Sequence, residues 1–336
     1  MDLKTLTEIN APSGHEQAIR RFLLDELKKL GFAPVLDRMG NVVVVKEGMG
    51  DAPRKRVMVS AHMDEVGLIV TSATEDGYLR IAAAGGIDPR VLVSKRVTVG
   101  EDKLPGVIGA VPIHLQSAAE RKHVLSMDEL LVDIGAKDKD EAERKAPMGT
   151  YISFDTPYVE YGDGFACGKA FDDRVGCLSL LRLLQEELPV DLVACFVSEE
   201  EVGCRGAKGA AFQQEPDIGI VLEGTTCNDL GDVPETAHVC EAGQGVAVSF
   251  MDGASIANRA LFRKALDVAK QENIPHQVKH SVSGGNDGGA IQRAREGVPV
   301  VVLSVPCRYI HSPSSVVKLS DVESQFALVK ALVKAL

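Results

Sequence analysis

The segment Ser60-Ala61-His62-Met63-Asp64-Glu65-Val66-Gly67 follows a β-branched apolar run, Val57-Met58-Val59, with two polar, metal-competent side chains. His62 offers an imidazole nitrogen to a metal. Asp64, two residues on, can take the other ring N–H, fixing the tautomer and raising the basicity of the ligand. An HxD tripeptide alone equally describes an ordinary histidine at the end of a strand. Other apolar runs in the chain end in the same way, however. Leu192–Val197 runs into Ser198-Glu199-Glu200-Glu201, Ile218–Leu222 into Glu223, and Val298–Val305 through Pro306-Cys307-Arg308-Tyr309-Ile310 to His311. Asp172 and Asp173, in GKAFDDRVG, stand just before a helical pattern. Taken singly, either aspartate is also read as a helix N-cap and the three glutamates 200, 201 and 223 as solvated acidic turns. Taken together, those readings require unrelated strand ends to share metal-ligand chemistry by accident.

Two imidazoles and three carboxylates suit two divalent ions sharing one bridging carboxylate. Hard oxygen and borderline nitrogen donors favour zinc, cobalt or manganese over calcium. Metals about 3.5–4 Å apart lower the pKa of a bridging water and polarise a carbonyl together. A carboxylate beside them can then carry the proton from water to the leaving amine. Adjacent glutamates fit that division of labour, because successive side chains at a strand end diverge. The same divergence makes Glu200 and Glu201 a poor glycosidase pair, whose carboxyls must face each other across a sugar.

Such a cluster needs a scaffold that collects strand ends, and in open α/β sheets chemistry gathers at the carboxyl ends of strands. The periodicity supplies one. An amphipathic helix runs from about His15 to Leu30, with Gly31 as its stop, followed by buried strands at Asn41–Val45 and Val57–Ser60. From Gly67 to Glu160 the pattern becomes short β segments broken by glycine, with one helical insert over about Met127–Lys145, which predicts a small barrel. After Gly162 the alternation resumes: helix Val175–Glu187, strand Leu192–Val197, strand Ile218–Leu222, helix Ala257–Glu272, strand Val298–Val305 and helix Leu319–Leu336, capped by Ser320 or its neighbour. The fold class is therefore α/β: a discontinuous domain over 1–66 and 161–336, with a β-rich domain over 67–160 inserted in it.

Composition bounds the rest. At 336 residues with 45% hydrophobic and 25% charged side chains, the chain is an ordinary globular protein of two-domain length. A net charge of −11 argues against nucleic acid, which needs a basic stripe. No apolar run is long enough for a bilayer and the N-terminus carries no signal core, so no membrane partner is expected. Seven cysteines without a CxxC pair predict reduced, mostly buried thiols in a cytoplasmic protein. The absence of tryptophan and the 4% aromatic content weaken a carbohydrate-polymer reading.

With these residues in place, the chain resembles the dinuclear metallo-aminopeptidases of the tetrahedral-assembly family, metallopeptidase family forty-two. That family includes glutamyl and deblocking aminopeptidases and proteins once described as cellulase M. The resemblance is carried in order by APSGHE, SAHMDEVG, VDIGAK, GKAFDDRVGC, SEEEVGCRGA, GGNDGGAI and RYIHSP, nearly end to end. It implies a phosphorylase/hydrolase-like three-layer αβα catalytic domain with an inserted small β-barrel. It further implies two divalent ions per subunit, zinc or cobalt: His62 and Glu223 as terminal ligands of one, Glu201 and His311 of the other, and Asp172 bridging both. Glu200 matches the general base, and Asp64 the residue that orients His62; the Asp172–Asp173 peptide is expected to be cis. Many relatives carry aspartate where Glu223 stands, and Glu199 makes a run of three acids that leaves a one-residue ambiguity; alignment on EVGCRGA favours Glu200 as base and Glu201 as ligand. The family also implies dimers assembling into a twelve-subunit tetrahedral shell, with the insert mediating dimer contacts.

Asp287 in GGNDGGAI is a candidate for holding the substrate's amino terminus, against a glycine-loop turn or N-cap. His114, His123, His238, His276 and His280 read as ordinary histidines, and His15 as part of the first helical turn. The expected activity is removal of N-terminal residues from peptides with a free amine, through a metal-bridging water and Glu200. A metal-dependent deacylase or carboxypeptidase, a glucan hydrolase and a non-enzymatic metal scaffold are the rivals. An acidic-residue preference would need a cation in the first pocket, for which Arg90, Arg308 and Lys318 are the candidates.

Overall fold

In the computed structural model, which describes residues 2–336, the chain builds an eleven-stranded mixed sheet and a separate closed six-stranded barrel. The centre of the sheet is four parallel strands in the order Asp191–Val197, Arg56–His62, Ile218–Thr226 and Val300–Arg308. Being parallel, they deliver their carboxyl ends to one edge. Val42–Lys46 and Val35–Leu36 extend the sheet antiparallel on one side. On the other lie Ser315–Lys318, Phe165–Gly168 and Val159–Tyr161, and the pair Val246–Ser249 and His276–Val278 branches from Val300–Arg308.

Period-two alternation assigns the two faces. Val57, Val59, Val301, Leu303 and Val305 pack with Leu178 and Leu181 of helix Phe171–Leu183 and with Leu328 and Leu332 of helix Leu319–Lys334. Their neighbours Met58, Val300 and Val302 face Ala207 and Ala211 of helix Arg205–Gln214 and Ile291 of helix Asp287–Gln292. Strands buried on both faces read as unbroken apolar runs, which is why they were visible in the sequence. The three-layer α/β/α architecture is therefore the one the resemblance implies.

Between Arg56–His62 and Val159–Tyr161 the chain forms the barrel, in the order Gly67–Ala73, Leu79–Ala84, Leu131–Asp133, Leu104–Gly109, Arg96–Val99 and Tyr151–Phe154. Its core, with Leu68, Ile81, Val97, Ile108, Val132 and Ile152, is distinct from that of the sheet. The helical insert expected over 127–145 is corrected here. Only Lys139–Lys145 is α-helical, capped by Asp138, whose carboxylate accepts the Glu141 N–H at 2.8 Å. Ahead of it, Leu131–Asp133 pairs with two strands and closes the barrel, and Gly135, at a φ of +68°, turns the chain out of it. Burial of Val132 in the barrel outweighs the helical spacing of its neighbours. The C-terminal helix likewise has no side-chain cap from Ser320 or its neighbour; its N-cap position is Lys318.

One buried amide holds the turn that will carry the acids. Asn41 is wholly buried; its Oδ1 accepts the Ser198 N–H at 2.9 Å, and its Nδ2 donates to the Gly206 carbonyl at 2.9 Å. Asn41→Ala leaves two backbone groups buried without partners, so unfolding free energy should fall by about 2–4 kcal/mol. Urea denaturation reads this, and an unchanged midpoint would deny the turn this anchor.

Candidate active site

The four parallel strand ends bring together residues that are up to about 250 positions apart in the chain. His62 is the last residue of its strand and lies in register with Val197, so the Ser198–Glu201 turn starts beside it. Glu223 lies inside Ile218–Thr226 rather than past its end, and His311 follows Val300–Arg308 by three residues. Asp172 opens helix Phe171–Leu183 with non-helical backbone angles, and its peptide bond to Asp173 is cis.

Asp172 sits between the imidazoles. Its Oδ1 is 3.3 Å from His62 Nε2 and its Oδ2 is 3.5 Å from His311 Nε2. Glu223 Oε2 approaches His62 Nε2 at 3.6 Å, and Glu201 Oε2 approaches His311 Nε2 at 3.2 Å. The Gly224 N–H donates to Asp172 Oδ1 at 3.0 Å, and a Cβ on Gly224 would meet that oxygen at 2.9 Å, so this position needs glycine. Asp173 takes the capping role left open between the two aspartates: its carboxylate accepts the Gly176 N–H at 3.0 Å and the His62 N–H at 3.2 Å.

Asp64 touches both His62 and the glutamate turn. His62 Nδ1 lies 3.2 Å from the Asp64 backbone carbonyl and 3.6 Å from its carboxylate. That carboxylate accepts Ser13 Oγ–H at 2.6 Å and the N–H groups of Glu200 and Glu201 at 3.1 and 3.2 Å. It therefore pins the glutamate pair to the first histidine. Glu199, the first of the three acids and at a φ of +55°, turns its carboxylate to Arg205 at 3.2 Å. Glu199, Tyr309 and His311 are non-glycine residues in the left-handed region, a strained backbone that clusters at working sites.

Electrostatically the cluster is crowded. Burial pushes the Glu201 carboxyl up to about 8 and holds Glu200 and Glu223 above their ordinary range. Burial acts downward on both imidazoles, but the hydrogen bond to Asp172 and the neighbouring acids prevail, raising His62 well above its usual value and His311 to about 9. Burial acts upward on Asp172, but the two imidazoles outweigh it and hold the carboxyl down. One further observation bears on a metal: Glu223 Oε1 is buried with no hydrogen-bond partner. An orphaned carboxylate oxygen beside two imidazoles and a two-sided aspartate is a donor set that fits divalent cations.

A cavity of about 280 Å³ opens over these groups, lined by Asp172, Glu200, Glu223 and His311 on the acidic side. Glu200 accepts a hydrogen bond from the Cys204 thiol at 3.4 Å. Asp287 is not the N-cap of its helix; Asn286 is, accepting the Gly288 N–H at 2.8 Å. The Asp287 carboxylate is buried near Glu200 and Cys204 with both oxygens unpartnered. His114, His123, His238, His276 and His280 stay outside the cluster, and His15 precedes helix Gln17–Lys29, stacked 5.0 Å from Tyr151.

None of the three candidate cations lines this cavity. Arg90 and Lys318 are tied to Asp88 and Asp163, and Arg308 forks onto Asp229 at 2.8 and 2.7 Å. The cavity is lined instead by Lys279, which follows the short strand His276–Val278. A single lysine after three residues of strand leaves no periodic signal, so the sequence did not single it out. Gln325, in the predicted last helix, was also missed; fully buried, it donates to the Glu223 and Leu303 carbonyls at 3.1 and 2.9 Å and ties two strands to that helix.

Comparison with known proteins follows the same lines. The lysyl aminopeptidase of Pyrococcus furiosus is 33% identical over 99% of this chain and 96% of its own. The glutamyl aminopeptidase of Lactococcus lactis subsp. cremoris is 32% identical over 99% of this chain and 95% of its own. The solved structure of the Pyrococcus horikoshii TET1 peptidase, described as assembling into a tetrahedron or a large octahedral shell, superposes with a TM-score of 0.87 at 33% identity, over 99% and 98% of the two chains. The family model described as M42 glutamyl aminopeptidase matches residues 40–328. With that match covering most of its length, the chain belongs to the M42 aminopeptidase family.

Proposed function

We propose that the chain removes N-terminal residues from peptides with a free amine, using two divalent cations and Glu200 as general base. The observation that carries this reading is the placement of Asp172 between two imidazoles, each with its own glutamate, at 3.2–3.6 Å. His62 and Glu223 would hold one ion, His311 and Glu201 the other, and Asp172 both. Bound there, zinc or cobalt supplies Lewis acidity toward water and the scissile carbonyl. Glu200, held by its own N–H on Asp64 and lining the cavity, takes the proton of the attacking water and returns it to the departing amine. Asp64 acts by positioning, tying the base to the His62 strand. Asp287 is offered as an acceptor for the substrate's α-ammonium, its two unpartnered oxygens being what a buried cation needs.

We further propose that the chain divides into a catalytic domain, 1–66 and 161–336, and an inserted domain, 67–160, that makes dimer contacts within a tetrahedral dodecamer. Exposed apolar side chains on the insert, Val111, Ile113, Leu115 and Val124, favour a covered face there. The relative's printed assembly points the same way. Seven free cysteines fit action in the cytoplasm, and no helix among the described residues is long and apolar enough to cross a membrane.

The test is to strip the protein with a chelator and reload it with each ion separately. Amino-acid anilide turnover should vanish and return with zinc or cobalt, and an N-acetylated peptide should resist. Cleavage of the blocked peptide would favour a deacylase, and chelator-insensitive sugar release a glucan hydrolase. Absence of any turnover after reloading would leave a metal scaffold.

A further inference from the structure

Cys204 stands at the N-cap position of helix Arg205–Gln214, with a φ of +52°, and its thiol donates to Glu200 Oε1 at 3.4 Å. Among the described residues, it and Cys167 are the two cysteines that are not fully buried. Helix Asp287–Gln292 closes the group: a carboxylate oxygen of Asp287, one of Glu200 and the Cys204 sulfur lie within 4.8 Å of one another. Asp287 is 1% exposed, and both its oxygens lack a hydrogen-bond partner among the described residues. A carboxylate so enclosed is costly unless a cation joins it. Two carboxylates and a thiol are donors that zinc takes, at bond lengths of about 2.0–2.3 Å that set tetrahedral ligand atoms about 3.4–3.6 Å apart. The sulfur and Glu200 already stand at that separation. The wider gaps close by side-chain rotation of Glu200 and Cys204, neither of which is fully buried.

We infer that Glu200, Cys204 and Asp287 form a binding site for one further thiophilic divalent cation, zinc above all, and that filling it shuts the peptidase off. This rests on the two-metal reading above, which uses none of the three as a ligand. On entry the cation takes the thiolate, and the thiol proton leaves to solvent. A Glu200 carboxylate bound to a metal no longer accepts the proton of the attacking water. Asp287, offered above to the substrate's α-ammonium, is engaged at the same time. The sulfur sets this site apart from the group around Asp172, whose donors are nitrogen and oxygen, and it selects zinc over harder ions such as manganese or magnesium. Positive charge already held beside Asp172 opposes another cation nearby, so this site fills last, in excess zinc.

The experiment strips the full chain of metal and dialyses it against rising zinc, and separately against cadmium, zinc's softer congener. Dialysis should count a third zinc after the first two. Cadmium should raise a sulfur-to-metal charge-transfer band in the ultraviolet, which nitrogen and oxygen ligands do not give. Anilide turnover should fall about a hundredfold or more as the third zinc binds, the loss expected of a missing base. In Cys204→Ser and Cys204→Ala the band should be absent, and the zinc concentration that halves each variant's own activity should rise about tenfold or more. An unmodified protein that binds two zinc ions but no third, without a cadmium–sulfur band, overturns the inference whether or not the variants fold. A band that survives in Cys204→Ser overturns it too, by placing the sulfur elsewhere, and a third zinc with unchanged turnover overturns the shut-off. Failure to bind even the first two ions sinks the two-metal reading instead, while the cadmium band still decides the sulfur site. Absence of turnover at every zinc level sinks the aminopeptidase reading, and the shut-off with it.

Discussion

Glu200→Gln should lower kcat by about 10²–10⁴-fold while the protein still binds its full complement of metal. The amide has the size of the carboxylate and can keep the contact with Cys204, and the backbone N–H of residue 200 still reaches Asp64. What it loses is the ability to accept a proton. Steady-state kinetics on an anilide, paired with elemental analysis of the same sample, separates the possibilities. Normal occupancy with near-normal turnover removes Glu200 as base. Lost occupancy would instead make it a ligand and shift the three-acid run by one residue.

Removing His62 or His311 acts on the opposite quantity. Each imidazole supplies the one nitrogen donor on its side of Asp172, so alanine at either position should weaken metal retention by more than about a hundredfold, beyond the range typical of an outer partner. His311→Ala is the cleaner variant, because its side chain is 39% exposed and its loss leaves the buried layers intact. Asp172→Ala should release both ions, since both sides of the cluster rest on that carboxylate. Equilibrium dialysis against zinc reads all three. Unchanged binding in both histidine variants would rule out their ligand roles, and one tight ion left in Asp172→Ala would deny it the bridge.

The sequence carried most of the site's acids and imidazoles because they stand in or just after buried apolar strands, and burial on both faces makes such strands conspicuous. Residue type and spacing alone did not separate Asp172 from Asp173, which only the family resemblance distinguished, since the difference is one of direction: one carboxylate turns to the imidazoles, the other to the helix N-terminus. The apolar run also ended one strand too early, at Leu222, because Ile218–Thr226 continues through Glu223, paired along Val300–Arg308. The barrel was legible from glycine-broken β segments, but Leu131–Asp133 was hidden inside a stretch with helical spacing. Lys279 and Gln325 stayed invisible because their roles depend on where a short edge strand and the last helix dock.

The proposed centre takes its donors from positions 62, 172, 201, 223 and 311, and the sheet that aligns them interleaves early and late strands. A ribosome-tethered chain that has not yet released His311 has only one flank of Asp172 in place. On the proposed reading such a chain would lack one imidazole of the cluster, and peptidase activity would require that the early and late strands of the sheet have joined.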